Sequence, residues 1–340
     1  MQKTALSLTK SASTVELFPD AASVPTAQLP ALVEGWLLDG EIRQLSSQTL
    51  FFRRLLLDKL VWFLREKSFV SCGKMELRAF LAYVASGNVP VGGRWGNSQQ
   101  TRAVRPSTTK TYHGHLRTFF RWLIEDGHLT ASPMEAITAP AARADQIQPF
   151  TEKQVDALLS AAKRTNHPKR DTAILSFLLD TGVRASELCS LRLCDLDAAG
   201  RTAVVLGKGN KRRSVYIGRA AMKALWDYMR EDAREKESPL FLSDRGSGTG
   251  EALTRSGLGQ LVERLGVSAG IEAVRCSPHS CRHTFAVSFL RAGGQVFALM
   301  NLLGHTNLQM TNRYVALAQA DLANQHRQFS PLDKMRGKNA

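Results

Sequence analysis

Residues 138–150 divide the chain into two parts. This segment, TAPAARADQIQPF, has a proline near each end and no repeat of apolar residues, which is typical of a linker between domains. A chain of 340 residues is long enough to build a separate core on each side of it. We therefore predict a loose N-terminal tail, a helical domain, the linker, a second domain and a C-terminal tail, over residues 1–25, 26–137, 138–150, 151–330 and 331–340.

The part before the linker has the apolar spacing of short helices. Tyr112, Leu116, Phe119 and Leu123 recur every three to four positions, as on one face of a helix. We expect this stripe to form part of the core and not a surface on which bases stack. A glycine- and proline-rich break at 87–106 interrupts the pattern. Helices are predicted near residues 31–40, 46–67, 75–86 and 107–126.

The part after the linker mixes helices with one hairpin. Thr151 is a suitable N-cap for the first helix, and Gly182 supplies the stop of the second. Strands at 202–206 and 214–217 flank the turn that carries Lys208. Further helices are predicted over 219–237, 280–291, 296–303, 308–316 and 318–328. The predicted fold class is mainly α with a small antiparallel β-sheet.

The charge of the chain favours a polyanionic partner. Its net charge is +15 and its pI is 9.9, and the segment 77–124 contains seven basic residues and no acidic one. A solvated basic face is the alternative to nucleic-acid contact, and a membrane surface is less favoured because the basic run is not one amphipathic helix. The residues predicted to contact DNA are Arg94, Arg102, Arg105, Lys110, Arg117, Arg121, Lys211 and Arg212. Arg213 is grouped with Lys211 and Arg212 as a solvated or backbone-contacting cluster without catalytic work.

The remaining composition indicates a cytosolic protein without a metal. The apolar runs are shorter than the roughly 20 residues that span a bilayer, and no signal pattern opens the chain. Five cysteines, an odd number without paired spacing, suggest reduced thiols. Cys276, His279 and Cys281 do not have the spacing of a common zinc site. We therefore predict no membrane association, no cofactor and no metal.

Six residues after the linker occur in an order that suits phosphodiester chemistry. Attack on a phosphodiester without a metal needs a nucleophile and several cationic or hydrogen-bonding groups around the phosphate. A phenol can be the nucleophile, and arginine contacts two phosphate oxygens at once. The candidates are Arg184 in TGVRASEL, Lys208 in GKGNKRR, His279 and Arg282 in PHSCRHTFA, and His305 and Tyr314 in LLGHTNLQMTNRY.

These local sequences resemble those of the tyrosine recombinases, the phage integrase family. The boxes TG-x-R-x-SEL, H-x-x-RH and LGH followed by T-x-x-Y are all matched, in order, and the Lys208 turn resembles the family's β-hairpin lysine. Cys281 stands where leucine is usual and Tyr216 where proline is common, and neither is a catalytic position. The resemblance covers residues 151–330 and implies a helical core-binding domain followed by an α+β catalytic domain.

The candidate roles follow from the chemistry of each group. A free tyrosine has a pKa of about 10, so forming its phenolate at neutral pH costs about 4 kcal/mol. Arg184 and Arg282 would clamp the phosphate, and His305 would donate to another oxygen. His279 would take the Tyr314 proton or hold its orientation, and Lys208 would protonate the leaving 5′ oxygen. Glu187 and His283 are supporting candidates.

The resemblance also implies the course of the reaction and its partners. It implies a 3′-phosphotyrosine intermediate, strand exchange through a Holliday junction, and four subunits on double-stranded DNA with a specific site, all copies of this chain or together with a paralogue. A type IB topoisomerase and a DNA-binding regulator without activity are the alternatives. The sequence leaves open whether the chain resolves chromosome dimers or moves an element, and its N-terminal extension leans slightly towards the second.

Overall fold

The chain is described by a computed structural model in which two compact units are distinguished. The units meet in sequence between Asp145 and Gln146, inside the segment predicted as a linker. The residues that the structure describes are 22–86, 92–141, 148–207, 211–231, 233–243, 250–305, 307–318, 326 and 330–336.

The N-terminal unit is a four-helix arrangement with a small two-stranded sheet. Helix α2 begins where the Ser46 side chain accepts a hydrogen bond from the Thr49 amide, and α4 begins at Pro106, which suits a first helical position. Strand β1 pairs antiparallel with β2. The elements are β1 Val24–Pro25, α1 Leu29–Ile42, α2 Ser47–Glu66, β2 Ser71–Cys72, α3 Lys74–Ala85 and α4 Pro106–Glu125.

Aromatic side chains fill the core of this unit. Trp36 packs edge-on against Phe119 with ring centroids 5.3 Å apart, and Phe80 is fully buried between neighbouring rings. The stripe of α4 that contains Tyr112 and Leu123 faces this core, as its spacing predicts. A charged side chain in such a core needs hydrogen-bonding partners.

Arg94 is such a side chain, and its predicted contact with DNA is wrong. Only 2% of its surface is exposed. Its Nη2 donates to the Ser86 carbonyl at 2.6 Å and its Nη1 to the Arg102 carbonyl at 3.4 Å. These bonds hold the loop before α4, in which Trp95 has the left-handed φ of 62°. Because the guanidinium is enclosed, it stabilises the loop and does not reach a phosphate.

Described residues within both predicted tails are folded. Val24, assigned to the tail at 1–25, is 3% exposed and lies in a strand paired with Cys72. At the other end, residues assigned to the tail at 331–340 include the helix α13, Pro331–Arg336. Both corrections have the same cause, since two-residue strands and single-turn helices leave no periodic pattern in the sequence.

The C-terminal unit packs helices around a three-stranded antiparallel sheet with the order β3–β4–β5. Val205 lies opposite Arg213 in the register of β4 and β5. Its strands are β3 Leu196–Asp197, β4 Thr202–Leu206 and β5 Arg212–Tyr216, and the helices that precede α13 are α5 Glu152–Ala162, α6 Pro168–Thr181, α7 Ala185–Ser190, α8 Arg219–Met229, α9 Arg255–Ser268, α10 Pro278–Arg291, α11 Val296–Leu303 and α12 Gln309–Ala318.

Two helices of this unit differ from the sequence prediction. The helix predicted over 219–237 ends at Met229, because the backbone carbonyls of Lys236 and Ser238 pair with the loop amides of Cys194 and Leu193. Helix α9 was missed, since three glycines weaken its local signal. The helix predicted over 318–328 lies almost entirely outside the described residues. The fold class, mainly α with small antiparallel sheets, is confirmed.

Candidate active site

Arg184 is placed by the sharp stop of α6. The helix ends at Gly182, whose φ is 60°, and a Cβ atom there would lie 2.3 Å from the ring of Phe285. Two residues later, Arg184 occupies the position before the first turn of α7. Its Nη2 donates to the Gly304 carbonyl at 3.0 Å and its Nη1 to Glu187 at 2.8 Å. The guanidinium is therefore fixed by groups far apart in the sequence.

Glu187 is the carboxylate on which two arginines meet. It is 1% exposed and accepts hydrogen bonds from Arg184 and from both terminal nitrogens of Arg213. Burial alone would raise the pKa of this carboxyl, but the hydrogen bonds from Arg213 and Arg184 together hold the pKa below its usual range. Glu187 is thus ionised at neutral pH and fits its expected supporting place.

Arg213 belongs to the site, although the sequence predicted only a solvated or backbone-contacting residue at this position. It pairs with Glu187 through two parallel hydrogen bonds of 2.7 and 2.9 Å, and its Nε donates to the Leu302 carbonyl at 3.0 Å. Strand alternation could have revealed it, because Arg213 is two residues before the buried Val215 and so shares its face. Arg212 is exposed on the opposite face, and Lys211 is exposed in the turn before the strand.

Arg282 is the most enclosed arginine of the site. It lies on α10, which begins where Ser277 accepts from the Ser280 amide, and it is 4% exposed. Its guanidinium donates to the carbonyls of Gly182 and Leu303, both at 2.7 Å. Burial, and after it the charge of Arg184, lowers the pKa of Arg282 to about 10. It therefore remains a cation at neutral pH.

His305 follows Gly304, a second glycine with left-handed φ. Its Nδ1 lies 2.9 Å from the Thr311 hydroxyl, and its Nε2 lies 3.0 Å from a terminal nitrogen of Arg282. Because arginine only donates, Nε2 accepts this hydrogen bond and the ring proton is on Nδ1. Burial and the charge of Arg282 lower the pKa of His305 to about 4. In this arrangement Nε2 accepts from Arg282 and the Nδ1–H donates to the Thr311 hydroxyl, whereas the sequence suggested a donor to the phosphate.

Tyr314 lies on α12 and is 3% exposed. Its hydroxyl is 2.9 Å from Nδ1 of His283, and its ring stacks on His305 at 6.3 Å between centroids. Burial raises the pKa of the phenol, while the charges of Arg282, Arg313 and Arg184 act against that rise. The phenol is therefore protonated at rest and surrounded by groups that favour its anion.

His279 does not occupy the place that the sequence analysis gave it. It lies one turn before His283 on α10, and the two rings stack with centroids 6.4 Å apart. The histidine within hydrogen-bonding distance of the Tyr314 hydroxyl is instead His283, which had been only a supporting candidate. Burial, with the charges of Arg282, Arg184 and Arg275, lowers the pKa of His279.

Lys208 lies outside the described residues. The strands on either side of its turn are described, and the Gly207 amide donates to the Lys211 carbonyl at 2.8 Å. Among the described residues, no three His, Cys, Asp or Glu side chains gather in a way that could hold a metal ion. Within the same part of the chain, none of the helices combines the length and apolar character needed to cross a bilayer.

Comparison with known proteins decides the family. Residues 148–321, about half of the chain, match the model of the phage integrase family. The chain belongs to the phage integrase family. The matched segment contains all six residues singled out from the sequence, and it coincides closely with the C-terminal unit.

The relatives of this chain include the tyrosine recombinases XerC and XerD. Over 210 residues this chain is 34% identical to the tyrosine recombinase XerC of Actinobacillus pleuropneumoniae serotype 7. The alignment covers 61% of this chain and 67% of the relative. Over 234 residues it is 31% identical to the tyrosine recombinase XerD of Listeria innocua serovar 6a, and this alignment covers 66% of this chain and 77% of the relative. The interpretation of the chain as a tyrosine recombinase is confirmed.

A solved structure shows the same fold. The Tn1549 transposon integrase in complex with transposon right end DNA has a TM-score of 0.65, with 20% identity over 90% of this chain and 100% of that one. This integrase-family chain is a site-specific DNA recombinase, and neither the topoisomerase nor the inactive regulator is favoured.

Proposed function

We propose that Tyr314 is the nucleophile of strand cleavage and that Arg184 and Arg282 bind the phosphate that it attacks. The observation that carries this proposal is the position of the phenol. The phenol is buried and its ring stacks on His305, whose Nε2 accepts a hydrogen bond from Arg282, and the charges of Arg282 and Arg184 favour its anion. A phosphate placed among these guanidiniums would have its charge balanced at the moment when the fifth oxygen joins phosphorus.

The charge of the site suits an anionic substrate. Arg184, Arg213 and Arg282 carry three positive charges and share one carboxylate, that of Glu187. The cluster therefore keeps an excess of positive charge in a partly desolvated place, where like charges repel one another. A DNA phosphate between them would relieve that repulsion, so binding and stabilisation of the transition state come from the same groups.

The arginines keep donors available for a phosphate. Arg282 uses its terminal nitrogens on Gly182, Leu303 and His305, and its Nε–H and one terminal hydrogen remain. The carbonyl bonds hold the guanidinium plane in one orientation before DNA arrives. Such preorganisation means that little conformational freedom is lost when the phosphate binds.

The proposed step links the DNA to the enzyme and keeps the energy of the broken bond. The Tyr314 hydroxyl gives its proton to a neighbouring base and its oxygen forms a bond to phosphorus, while the bond from phosphorus to the 5′ oxygen breaks. Lys208 gives a proton to that leaving oxygen. The product is a 3′-phosphotyrosine and a free 5′ hydroxyl, and a second 5′ hydroxyl can reverse the step on another strand.

Replacement of Tyr314 by phenylalanine tests the nucleophile. We expect no covalent protein–DNA complex on a nicked suicide substrate, because only the phenol oxygen forms the bond, whereas DNA binding is retained. Denaturing gels report the covalent species and mobility shifts report binding. A covalent complex formed by Tyr314→Phe would place the nucleophile elsewhere.

A sulfur substitution tests Lys208. A thiolate leaves without a proton donor, so Lys208→Ala should slow cleavage strongly at a 5′ oxygen and much less at a 5′ sulfur. Equal losses on the two substrates would remove Lys208 from the role of general acid.

Both units are proposed to contact DNA. Five exposed basic residues of the N-terminal unit remain candidates after Arg94 is excluded, and Lys211 and Arg212 of the C-terminal unit are exposed as well. The five are Arg102, Arg105, Lys110, Arg117 and Arg121. The N-terminal unit is on this basis a DNA core-binding domain, and tethering two DNA-binding units raises the affinity of the pair.

The proposed assembly is a tetramer on two copies of a recombination site. It would exchange strands through a Holliday junction, with four copies of this chain or with a paralogue, as XerC and XerD exist as separate relatives. Since the substrate is chromosomal or element DNA, the proposed location is the nucleoid in the cytoplasm. A two-site synapsis assay analysed by light scattering would measure the stoichiometry.

A further inference from the structure

The hydroxyl proton of Tyr314 needs an acceptor when its oxygen attacks phosphorus. Nδ1 of His283 lies 2.9 Å from the hydroxyl, with ring centroids 5.5 Å apart. His279, which the sequence favoured for this role, lies one helical turn before His283, and its ring stacks on the His283 ring with centroids 6.4 Å apart. The geometry therefore favours His283 over His279, the reverse of the order that the sequence predicted.

The direction of the hydrogen bond follows from the neighbours of the phenol. The positive charge of Arg282 acts on the phenol, which favours a Tyr314 oxygen with its lone pairs towards that guanidinium and its hydrogen away from it. The hydroxyl has a single hydrogen, which is then directed to His283. Burial, and then the charges of Arg313, His279 and Arg282, lower the pKa of His283 to about 4. The ring is neutral at pH 7, with its proton on Nε2 and a lone pair on Nδ1 facing the phenol.

We propose that His283 accepts the Tyr314 proton during strand cleavage. This rests on the proposed role of Tyr314 as the nucleophile. The O–H bond breaks and its proton passes to Nδ1, while the oxygen forms the bond to phosphorus. The bond to the 5′ oxygen breaks, its electron pair stays on that oxygen, and the general acid supplies the proton. During rejoining, the imidazolium returns its proton to the phenol oxygen.

The same surroundings explain why the tyrosine does not ionise before DNA binds. The positive charges of Arg282 and Arg313 and the neighbouring His279 oppose an imidazolium at His283, and burial opposes a phenolate at Tyr314. A bound phosphodiester adds a negative charge to this pocket, which favours the imidazolium. Proton transfer is therefore coupled to phosphate binding and to attack.

Two variants of His283 separate proton transfer from orientation. His283→Phe keeps an aromatic ring but has no hydrogen-bond acceptor. His283→Asn keeps an acceptor near the position of Nδ1, but the amide oxygen does not take up a proton. We expect both to slow single-turnover cleavage of a nicked duplex by about 100-fold or more, the usual loss of a general base. DNA affinity should be unchanged, since the ring contacts the nucleophile and not the phosphate backbone.

A fluorinated tyrosine at position 314 provides the readout that a merely structural role would not move. Its phenol ionises more readily, so it depends less on a base, and the deficit of His283→Asn should shrink. His279→Phe is the matched control on the same helix, and its deficit should not respond to fluorination. Melting curves measured in parallel verify that each variant is folded.

Several outcomes would overturn the proposal. They are cleavage by His283→Phe at or above the wild-type rate, full activity of His283→Asn, or a deficit that fluorination does not reduce. A fluorination-sensitive deficit in His279→Phe alone would move the acceptor to His279. Failure of the broader proposal would look different, because a covalent complex would then form with Tyr314→Phe whatever residue stands at 283.

Discussion

Arg94 and Arg282 lie in different units and are buried to nearly the same degree, at 2% and 4% exposure. Both donate to two backbone carbonyls, Arg94 to Ser86 and Arg102, and Arg282 to Gly182 and Leu303. In each case the carbonyls replace part of the water that the guanidinium loses on burial, although the Nε of Arg94 has no hydrogen-bond partner. Burial and hydrogen bonding alone would therefore assign the two residues the same role.

Their charged neighbours distinguish them. Arg94 lies beside Trp95, whose ring stacks on Tyr112 at 6.2 Å, in an aromatic surrounding. Burial and then the charge of Arg184 lower the pKa of Arg282, which lies next to His305 and Tyr314. Cations kept close together lower stability, so the clustering of Arg184, Arg213 and Arg282 around one carboxylate indicates an anionic ligand. Arg94 has a cationic neighbour in Lys59, but its guanidinium is held by the carbonyls of its own loop and of Ser86, which indicates a structural role.

The largest expected effect is on cleavage. Arg282→Ala should lower the single-turnover cleavage rate by roughly 100- to 1000-fold or more, because it removes a preorganised donor from the phosphate site. Arg94→Met, measured at saturating DNA, should cleave at a rate close to that of the unchanged protein. Comparable losses in the two variants would abolish the distinction between a catalytic and a structural buried arginine.

The second expected effect is on stability. Arg94→Met leaves the carbonyls of Ser86 and Arg102 without their donor, which should lower the free energy of unfolding of the N-terminal unit by about 1–3 kcal/mol. Urea unfolding of the full chain, followed by the fluorescence of the tryptophans in that unit, measures it. The exposed Arg117→Met is the control and should change little. If both variants unfold alike, the Arg94 hydrogen bonds do not stabilise the loop.

The third effect depends on pH and belongs to the C-terminal unit. His283 and His305 have a pKa of about 4 when folded, against 6.5 for an unperturbed histidine. The unfolded chain therefore takes up protons first as the pH falls, so stability is fully present above about 6.5 and decreases towards pH 4. Unfolding midpoints at a series of pH values measure this decrease. The decrease should be smaller in His283→Asn, and an unchanged slope would mean that His283 is solvated.

The smallest effect concerns the exposed arginines and lysines of the N-terminal unit. Replacing Arg102, Lys110 and Arg117 by alanine should flatten the slope of log affinity against log salt by about 0.9 for each DNA phosphate that the variant no longer neutralises. Arg43→Ala, an exposed residue paired with Asp39, is the control. A slope that is the same in the triple variant would identify the basic run at 77–124 as solvated surface.

Much of the molecule could be predicted from local sequence. The helix stripe of α4, the stop at Gly182 and the cap at Thr151 depend on residues a few positions apart, and each is found as expected. The same holds for the order of the candidate residues, since each lies in a short motif. Local patterns of this kind are set by backbone geometry and by the solvation of neighbouring side chains.

What the sequence alone did not decide were the pairings between distant residues. Arg282 meets the Gly182 carbonyl across 100 positions, and Arg213 meets Glu187 across 26. His279 and His283 share one helix, and only the packing of α12 against α10 selects the one that contacts Tyr314. Arg94 is one of many basic residues in its segment until the loop folds around it. Local sequence determined which groups are present, and tertiary packing determined which charges are enclosed together, because electrostatic interaction depends on distance in space and on burial.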